Sequence, residues 1–322
     1  MSYSVVVSDF HMVDPDHQRR VLGDVAEIHV ACLGSEEALV EACELADADA
    51  VVTDINTPVT AEALSRLDLS VVARAAVGYD NIDVEAATDH GVTVTNVPSY
   101  CTDEVATHSV ALLLSCIRAT PTYDRTVRAG EWPATPGRDL HRMKGRTLGF
   151  LSFGAIAQRT AALCRGFGLE LVAYDPYVDD ELLDDLGIER VTLDELYARS
   201  DYLSVNAPAT PETRGMVDAD AFDALSDDAI VVNTGRGEVI DEAALVEALR
   251  AGDIASAGLD VFEEEPLSAD SPLRELDTVV LSPHAAWCSV EAKAEVNEQT
   301  ASDIKRVFAG EEPTARVEPS WN

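Results

Sequence analysis

At 322 residues, 47% of them hydrophobic, the chain can bury two cores and is long for a single domain. Its 59 acids outnumber its 23 bases, giving a formal net charge of -36, which excludes partners that need a basic footprint: nucleic acid and anionic membrane surfaces. No apolar stretch reaches the length needed to span a bilayer.

The first residues lead straight into a β-branched run. Strands are predicted over 4–8, 27–32, 50–53, 70–75 and 92–95, with helices such as 36–46 and 61–67 between them. That alternation signals a mainly parallel sheet covered on both faces, and five strands complete a small doubly wound one. After Asn96-Val97-Pro98 the pattern changes. Residues 104–118 repeat apolar side chains at helical spacing (Val105, Ala106, Val110, Leu113, Leu114, Ile117) and suit a helix joining two domains. A Gly/Pro-rich loop follows through Trp132-Pro133-Ala134-Thr135-Pro136-Gly137. A second strand–helix series starts at Thr147 and runs to His284, and a last helix is predicted over 290–308. That helix is too short to form a domain, so it is expected to pack back on the first section. The expectation is an α/β chain with two doubly wound parallel sheets. A substrate domain from 1–99 and 288–322 would be interrupted by a nucleotide-binding domain over 100–287.

The second series opens with a dinucleotide-type turn, Ser152-Phe153-Gly154-Ala155-Ile156-Ala157. The Rossmann fingerprint puts glycine at the first, third and sixth places, for the turn, the pyrophosphate approach and helix packing. Only Gly154 is glycine here; Ala157 is a permitted substitute, and Ser152 is the departure. Alone, the hexapeptide reads equally well as an ordinary strand–helix turn. Asp175 ends the next strand at the distance where an acid meets the ribose 2′-hydroxyl of NAD, although a solvated strand-end acid is its alternative. Pro176-Tyr177-Val178-Asp179-Asp180 offers no arginine for a 2′-phosphate, so NAD is expected over NADP. Ser152, Gly154, Ala155, Ile156 and Asp175 are the candidate cofactor residues of this segment.

Three further residues form a series. Arg236 lies in Asn233-Thr234-Gly235-Arg236-Gly237, Glu265 precedes Pro266, and His284 follows Pro283. Each sits just past an apolar run, over 229–232, 257–261 and 279–281, at the sheet edge where α/β proteins bind ligands. Singly they read as a turn arginine, a solvated acid and a helix-start histidine. Together a guanidinium can hold a carboxylate, an imidazolium can protonate a carbonyl oxygen, and a carboxylate can orient that imidazolium. This is the chemistry of reducing a 2-oxo acid to a 2-hydroxy acid.

With these motifs the chain resembles the D-isomer-specific 2-hydroxyacid dehydrogenase family over nearly its whole length. The resemblance rests on Gly78-Tyr79-Asp80-Asn81-Ile82-Asp83, the strand–turn–helix ending at Asp175, and Asn206-Ala207-Pro208-Ala209-Thr210-Pro211-Glu212-Thr213. Asn233 to Gly237, Leu259-Asp260-Val261-Phe262 and Glu265-Pro266 extend it. It implies a flavodoxin-like substrate domain, a central Rossmann domain, a homodimer, and Arg236, Glu265 and His284 as catalytic residues. It also implies Arg74, Val77 and Gly78 as substrate contacts, with Pro208, Thr213, Thr234, Gly235 and Asp260 along the cofactor. Ser282-Pro283-His284-Ala285-Ala286-Trp287 and Tyr174-Asp175-Pro176-Tyr177 are similar to the C-terminal-binding-protein branch, where the tryptophan lies near the substrate. Trp287 there would favour a 2-oxo acid with an apolar or thioether side chain; otherwise it simply caps an interface through its apolar face. Two alternatives stay open. One is a phosphoglycerate dehydrogenase of serine biosynthesis, which needs cations for its phosphate and which the chain matches without a regulatory extension. The other is an NADH-sensing regulatory protein.

The surroundings complete the expectation. The acids are dispersed, as on a heavily hydrated surface in a salt-rich cytoplasm, and only Lys144, Lys293 and Lys305 are lysines. Six scattered cysteines without a Cys-x-x-Cys pair argue against a metal site or disulfide framework. The N-terminus shows no basic segment or cleavage site of a secretory signal.

Overall fold

The computed structural model of the chain describes residues 2–319, so the predicted spans at residue 1 and 320–322 lie outside the described residues. The chain divides into two compact units, Met1–Cys101 with Cys288–Asn322, and Thr102–Trp287. Both are parallel α/β sheets, as the alternating pattern requires.

In the unit from both ends of the chain, five strands, β1 (Tyr3–Ser8), β2 (Ala26–Ala31), β3 (Ala50–Thr53), β4 (Val71–Arg74) and β5 (Thr93–Thr95), lie in the order β2-β1-β3-β4-β5. This is the flavodoxin-like order. Helices α1 (Pro15–Leu22), α2 (Glu36–Ala46), α3 (Ala61–Arg66) and α4 (Val84–Asp89) connect them. The starts are capped as the sequence dictates: Asp14, Ser35, Thr60 and Asp83 each accept a first-turn N–H. Val5, Val6, Val7, Val51, Val52, Val71 and Val72 are all 0% exposed. Each such valine contributes about 1.5–3 kcal/mol of burial, which is why these strands read as continuous apolar runs. The last helix, Val290–Phe308, packs on α1, β4 and β5, the placement expected of it.

The second unit starts with α5 (Thr102–Arg118). The sequence reading sent the chain from there into a loop, but a further helix, α6 (Thr120–Arg128), comes first. Ala119 turns out of α5 with φ 49°, and Pro121 then sits in the first turn of α6, where its missing N–H costs nothing. After the loop come β6 (Thr147–Leu151), α7 (Ala155–Cys164), β7 (Glu170–Tyr174), α8 (Asp180–Asp185), β8 (Glu189–Arg190), α9 (Leu193–Arg199) and β9 (Tyr202–Val205). The series continues with α10 (Ala219–Ala224), β10 (Ile230–Asn233), α11 (Glu242–Ala251), β11 (Ser256–Leu259) and β12 (Val279–Leu281). The sheet order is β12-β11-β10-β9-β6-β7-β8. Strand order reverses between β6 and β9, with β7 and β8 added on one side of β6 and β9 to β12 on the other, and an open α/β sheet binds its ligand at such a switch point. One core cluster packs Phe150, Phe153 and Tyr202 against α5 and α7; the other packs Leu203, Val231 and Leu259 against α9, α10 and α11. The strands are thus held from both faces, and their carboxyl ends carry the loops that matter below.

Candidate active site

The Arg236 loop is shaped by Asn233, the last residue of β10. Its Oδ1 accepts the Gly235 N–H at 3.0 Å and its Nδ2 donates to the Arg236 carbonyl at 2.8 Å. Arg236 is half-buried, in extended conformation, with Nη1 donating to the Gly235 carbonyl at 2.9 Å. The flanking glycines let backbone approach backbone. A Cβ on Gly237 would lie 1.8 Å from the Phe262 carbonyl carbon, and one on Gly235 would lie 3.1 Å from the Ala207 oxygen.

Phe262 belongs to the next loop. Its N–H donates to Glu265 Oε1 at 3.0 Å, and the Glu265–Pro266 peptide is cis. Glu265 Oε2 lies 2.7 Å from His284 Nδ1; the side chains are 30% and 26% exposed. An ionised carboxylate only accepts, so the proton between them sits on Nδ1. The other ring nitrogen, Nε2, is then a donor in the imidazolium and an acceptor in the neutral ring.

His284 has φ 51°, an uncommon backbone region for a residue with a Cβ. The turn is held by Asp260, 1% exposed. The Asp260 carbonyl accepts the His284 N–H at 2.7 Å. Its carboxylate accepts Ser282 Oγ at 2.6 Å, the Ala285 N–H at 3.0 Å and the Ala286 N–H at 2.9 Å. Its side chain thus builds the histidine turn. Sequence reading overlooked His108 on α5, whose Nε2 donates to Ser282 Oγ at 2.8 Å and lies 3.6 Å from Asp260 Oδ1. Its signal was a histidine inside the apolar stripe of a long helix, next to Ser109, which hydrogen-bonds Thr234 Oγ1 at 2.7 Å.

At the switch point, Gly154 caps α7 with no side-chain hydrogen bond, and no atom lies within 4 Å of where its Cβ would be. Ala155 and Ile156 thus start a ten-residue helix whose first N–H groups have no side-chain cap, beside the open space at Gly154, an arrangement that fits a pyrophosphate. Ser152 has φ 70°. Asp175, 6% exposed, accepts the Phe153 N–H at 2.7 Å and Ser152 Oγ at 3.1 Å on Oδ2, and the Tyr177 N–H at 2.8 Å on Oδ1. An arginine does reach this loop, from farther along the chain than the sequence reading looked. Arg190 at the end of β8 donates to the carbonyls of Asp175 and Val178 and to the Asp180 carboxylate. Pro208 and Thr213 close a turn after β9, with Thr213 Oγ1 accepting the Thr210 N–H at 2.8 Å and donating to the Pro208 carbonyl.

Arg74, Val77 and Gly78 belong to the other unit. Arg74 is 3% exposed and its Nε donates to the Gly78 carbonyl at 2.7 Å; the Val77 carbonyl accepts Asn96 Nδ2 at 2.7 Å. Trp287 is 6% exposed. Among the described residues, no three His, Cys, Asp or Glu side chains are grouped to hold a metal, and no helix is long and apolar enough to cross a membrane.

Residues 110–286 match the family described as D-isomer specific 2-hydroxyacid dehydrogenase, NAD binding domain. D-3-phosphoglycerate dehydrogenase of Archaeoglobus fulgidus is 38% identical over 285 residues, covering 88% of this chain and 54% of that one. The chain therefore spans about half the length of that relative. Glyoxylate reductase of Korarchaeum cryptofilum is 39% identical over 286 residues, covering 87% and 85%. The crystal structure of a glyoxylate reductase from Paecilomyes thermophila superposes with a TM-score of 0.88 at 28% identity, covering 100% of both chains.

Proposed function

Because the chain belongs to the D-isomer specific 2-hydroxyacid dehydrogenase family, we propose that it is an NAD-dependent reductase of a small 2-oxo acid, with His284 as proton donor. The observation that carries this reading is the 2.7 Å contact of His284 Nδ1 with Glu265 Oε2, two loops along the sheet edge from Arg236. In this reading Thr102–Trp287 is the cofactor domain. The turn from Ser152 to Ile156 takes the pyrophosphate, Asp175 takes the ribose 2′-hydroxyl, and Pro208, Thr213, Thr234, Gly235 and Asp260 lie along the rest of the dinucleotide. When bound, the nicotinamide supplies the hydride that reaches C2.

The chain's own groups do the remaining work. Arg236 pairs with the substrate carboxylate and polarises the carbonyl. His284, as imidazolium, donates from Nε2 to the carbonyl oxygen as negative charge develops there. Glu265 stabilises the imidazolium and holds the ring through Nδ1. In the oxidative direction neutral His284 accepts the hydroxyl proton at Nε2. Arg74, Val77 and Gly78 enter as substrate contacts on the family resemblance alone. The large apolar face of Trp287 supports a 2-oxo acid with an apolar or thioether side chain. Similarity to phosphoglycerate dehydrogenase supports a second reading, a phosphorylated substrate.

The test is NADH oxidation by purified protein with pyruvate, glyoxylate, hydroxypyruvate, phosphohydroxypyruvate and branched or thioether 2-oxo acids. Turnover of at least one acid, faster with NADH than NADPH, is expected. No turnover across the panel by protein that still binds NADH would sink the reductase and point to a sensor of the C-terminal-binding-protein kind.

The charge of -36 supports a halophilic protein whose acidic surface is screened by salt, and six free cysteines fit a reducing cytoplasm. A Tm that fails to rise with added KCl would refute the first point. Trp132, 89% exposed in the loop after α6, supports a homodimer; a monomer by light scattering refutes that.

A further inference from the structure

Ser152 occupies the place where the dinucleotide fingerprint has its first glycine, and it does so with φ 70°. Glycine meets that backbone without penalty; a residue with a Cβ does not. Serine there has a compensating contact. Its hydroxyl donates to Asp175 Oδ2 at 3.1 Å, onto the oxygen that also takes the Phe153 N–H at 2.7 Å. With the Tyr177 N–H on Oδ1 at 2.8 Å, three donors fix a carboxylate that is 6% exposed. The main chain around it is fastened as well, by Arg190 on the carbonyls of Asp175 and Val178.

We propose that Ser152 is a specificity-determining residue, which pins Asp175 in the orientation that accepts a ribose 2′-hydroxyl and turns away a 2′-phosphate. This rests on the reading of Thr102–Trp287 as an NAD-binding unit, and is independent of which 2-oxo acid is reduced. The direction follows from charge. Without the serine hydroxyl, two donors hold Asp175 in place of three, the Phe153 and Tyr177 N–H groups, and its negative charge turns from the ribose more readily. The guanidinium of Arg190, already at this loop, then meets an incoming phosphate. The serine keeps a strained backbone and gains discrimination between two cofactors that differ by one phosphate.

The experiment compares wild type with Ser152→Gly and Ser152→Ala, measuring the dissociation constants of NADH and NADPH by titration calorimetry and Tm by scanning calorimetry. Both variants lose the hydroxyl, so in both the ratio of NADPH to NADH dissociation constants falls, by about 10–100-fold, the size of one hydrogen bond to a charged group. Only glycine relieves the backbone, so Ser152→Gly melts higher than Ser152→Ala. A purely structural role predicts instead that discrimination tracks Tm, and that outcome overturns the proposal, as does an unchanged ratio in both variants. Wild-type protein that binds neither dinucleotide overturns the NAD reading and this proposal with it. Tight NADH binding with unchanged ratios overturns the serine role alone.

Discussion

Gly237→Ala tests whether the Arg236 and Glu265 loops are positioned by each other. The added Cβ would lie 1.8 Å from the Phe262 carbonyl carbon, 1.9 Å from its oxygen and 2.5 Å from the Glu263 nitrogen. All three are backbone atoms, so no rotamer change relieves the clash. Restoring ordinary contact separates the loops by roughly 1.5 Å in an interior with no spare space. The displaced segment holds Glu265 through the Phe262 N–H, and Glu265 holds His284, so the shift reaches the proton donor. Overpacking of this kind costs about 1–3 kcal/mol, and misplacement by about 1 Å costs on the order of 100-fold in rate. For a unit of this size the stability loss is a Tm decrease of roughly 2–10 °C. Calorimetry and steady-state NADH oxidation measure the two effects. Gly235→Ala is the control, because its Cβ comes no nearer than 3.1 Å to the Ala207 oxygen and needs only a few tenths of an ångström. Gly237→Ala with wild-type kcat and Tm, or a larger Tm loss in Gly235→Ala, refutes the reasoning.

Other outcomes are expected from the same structure. His284→Ala should lower kcat by about 10²–10⁴-fold and leave NADH affinity within about twofold, since the imidazole moves a proton and binds no dinucleotide; near-normal turnover removes His284 as acid. Thiol titration of native protein should show two accessible thiols, Cys32 and Cys288. Burial pushes Cys43 up to about 12, and Cys116 and Cys164 up to about 11, so these stay protonated and slow until the chain unfolds. Glu242 is pushed above its ordinary value by burial, then by repulsion from Glu263 and Glu264, although its N–H partner on Glu263 works the other way. A raised folded value means its favourable contribution is present below the usual glutamate range and lost as pH rises through the folded value. Glu242→Gln should therefore raise Tm at neutral pH and match wild type in acid; a lower Tm at neutral pH reverses the sign and refutes it.

The strands were legible because parallel sheets buried on both faces demand apolar, β-branched runs, and Ala50–Thr53 and Val279–Leu281 fall where those runs lie. The placement of Arg236, Glu265 and His284 was legible for a related reason: each follows such a run by a few residues, in the loops at the carboxyl edge of the sheet. What depended on contacts between distant segments was not. His108 meets Ser282 across 174 positions, and nothing local in either residue announces the other. Arg190 lies beyond residues 176–180 because β8, not the Asp175 loop, delivers it. Nor can the sequence show that Phe262 backbone fills the space beside Gly237.

One pattern emerges only in three dimensions. Among the described residues, four that are not glycine have positive φ, and two of them, Ser152 and His284, lie in the candidate site. Each is tied to an aspartate from the end of a neighbouring strand, Asp175 after β7 and Asp260 after β11. Each aspartate accepts one serine hydroxyl, from Ser152 or Ser282, and two backbone N–H groups, from Phe153 and Tyr177 or from Ala285 and Ala286. Strained backbone persists only where its surroundings over-determine it. A buried carboxylate with three donors is such a surrounding, because losing any donor leaves a buried charge under-satisfied. The chain uses the device twice, once under the proposed proton donor and once under the proposed cofactor turn. Ser282→Ala should thus loosen the His284 turn as Ser152→Ala loosens Asp175. Hydrogen exchange at Ala285 and Ala286 measures it, and unchanged protection there would mean that the two aspartates do not act alike.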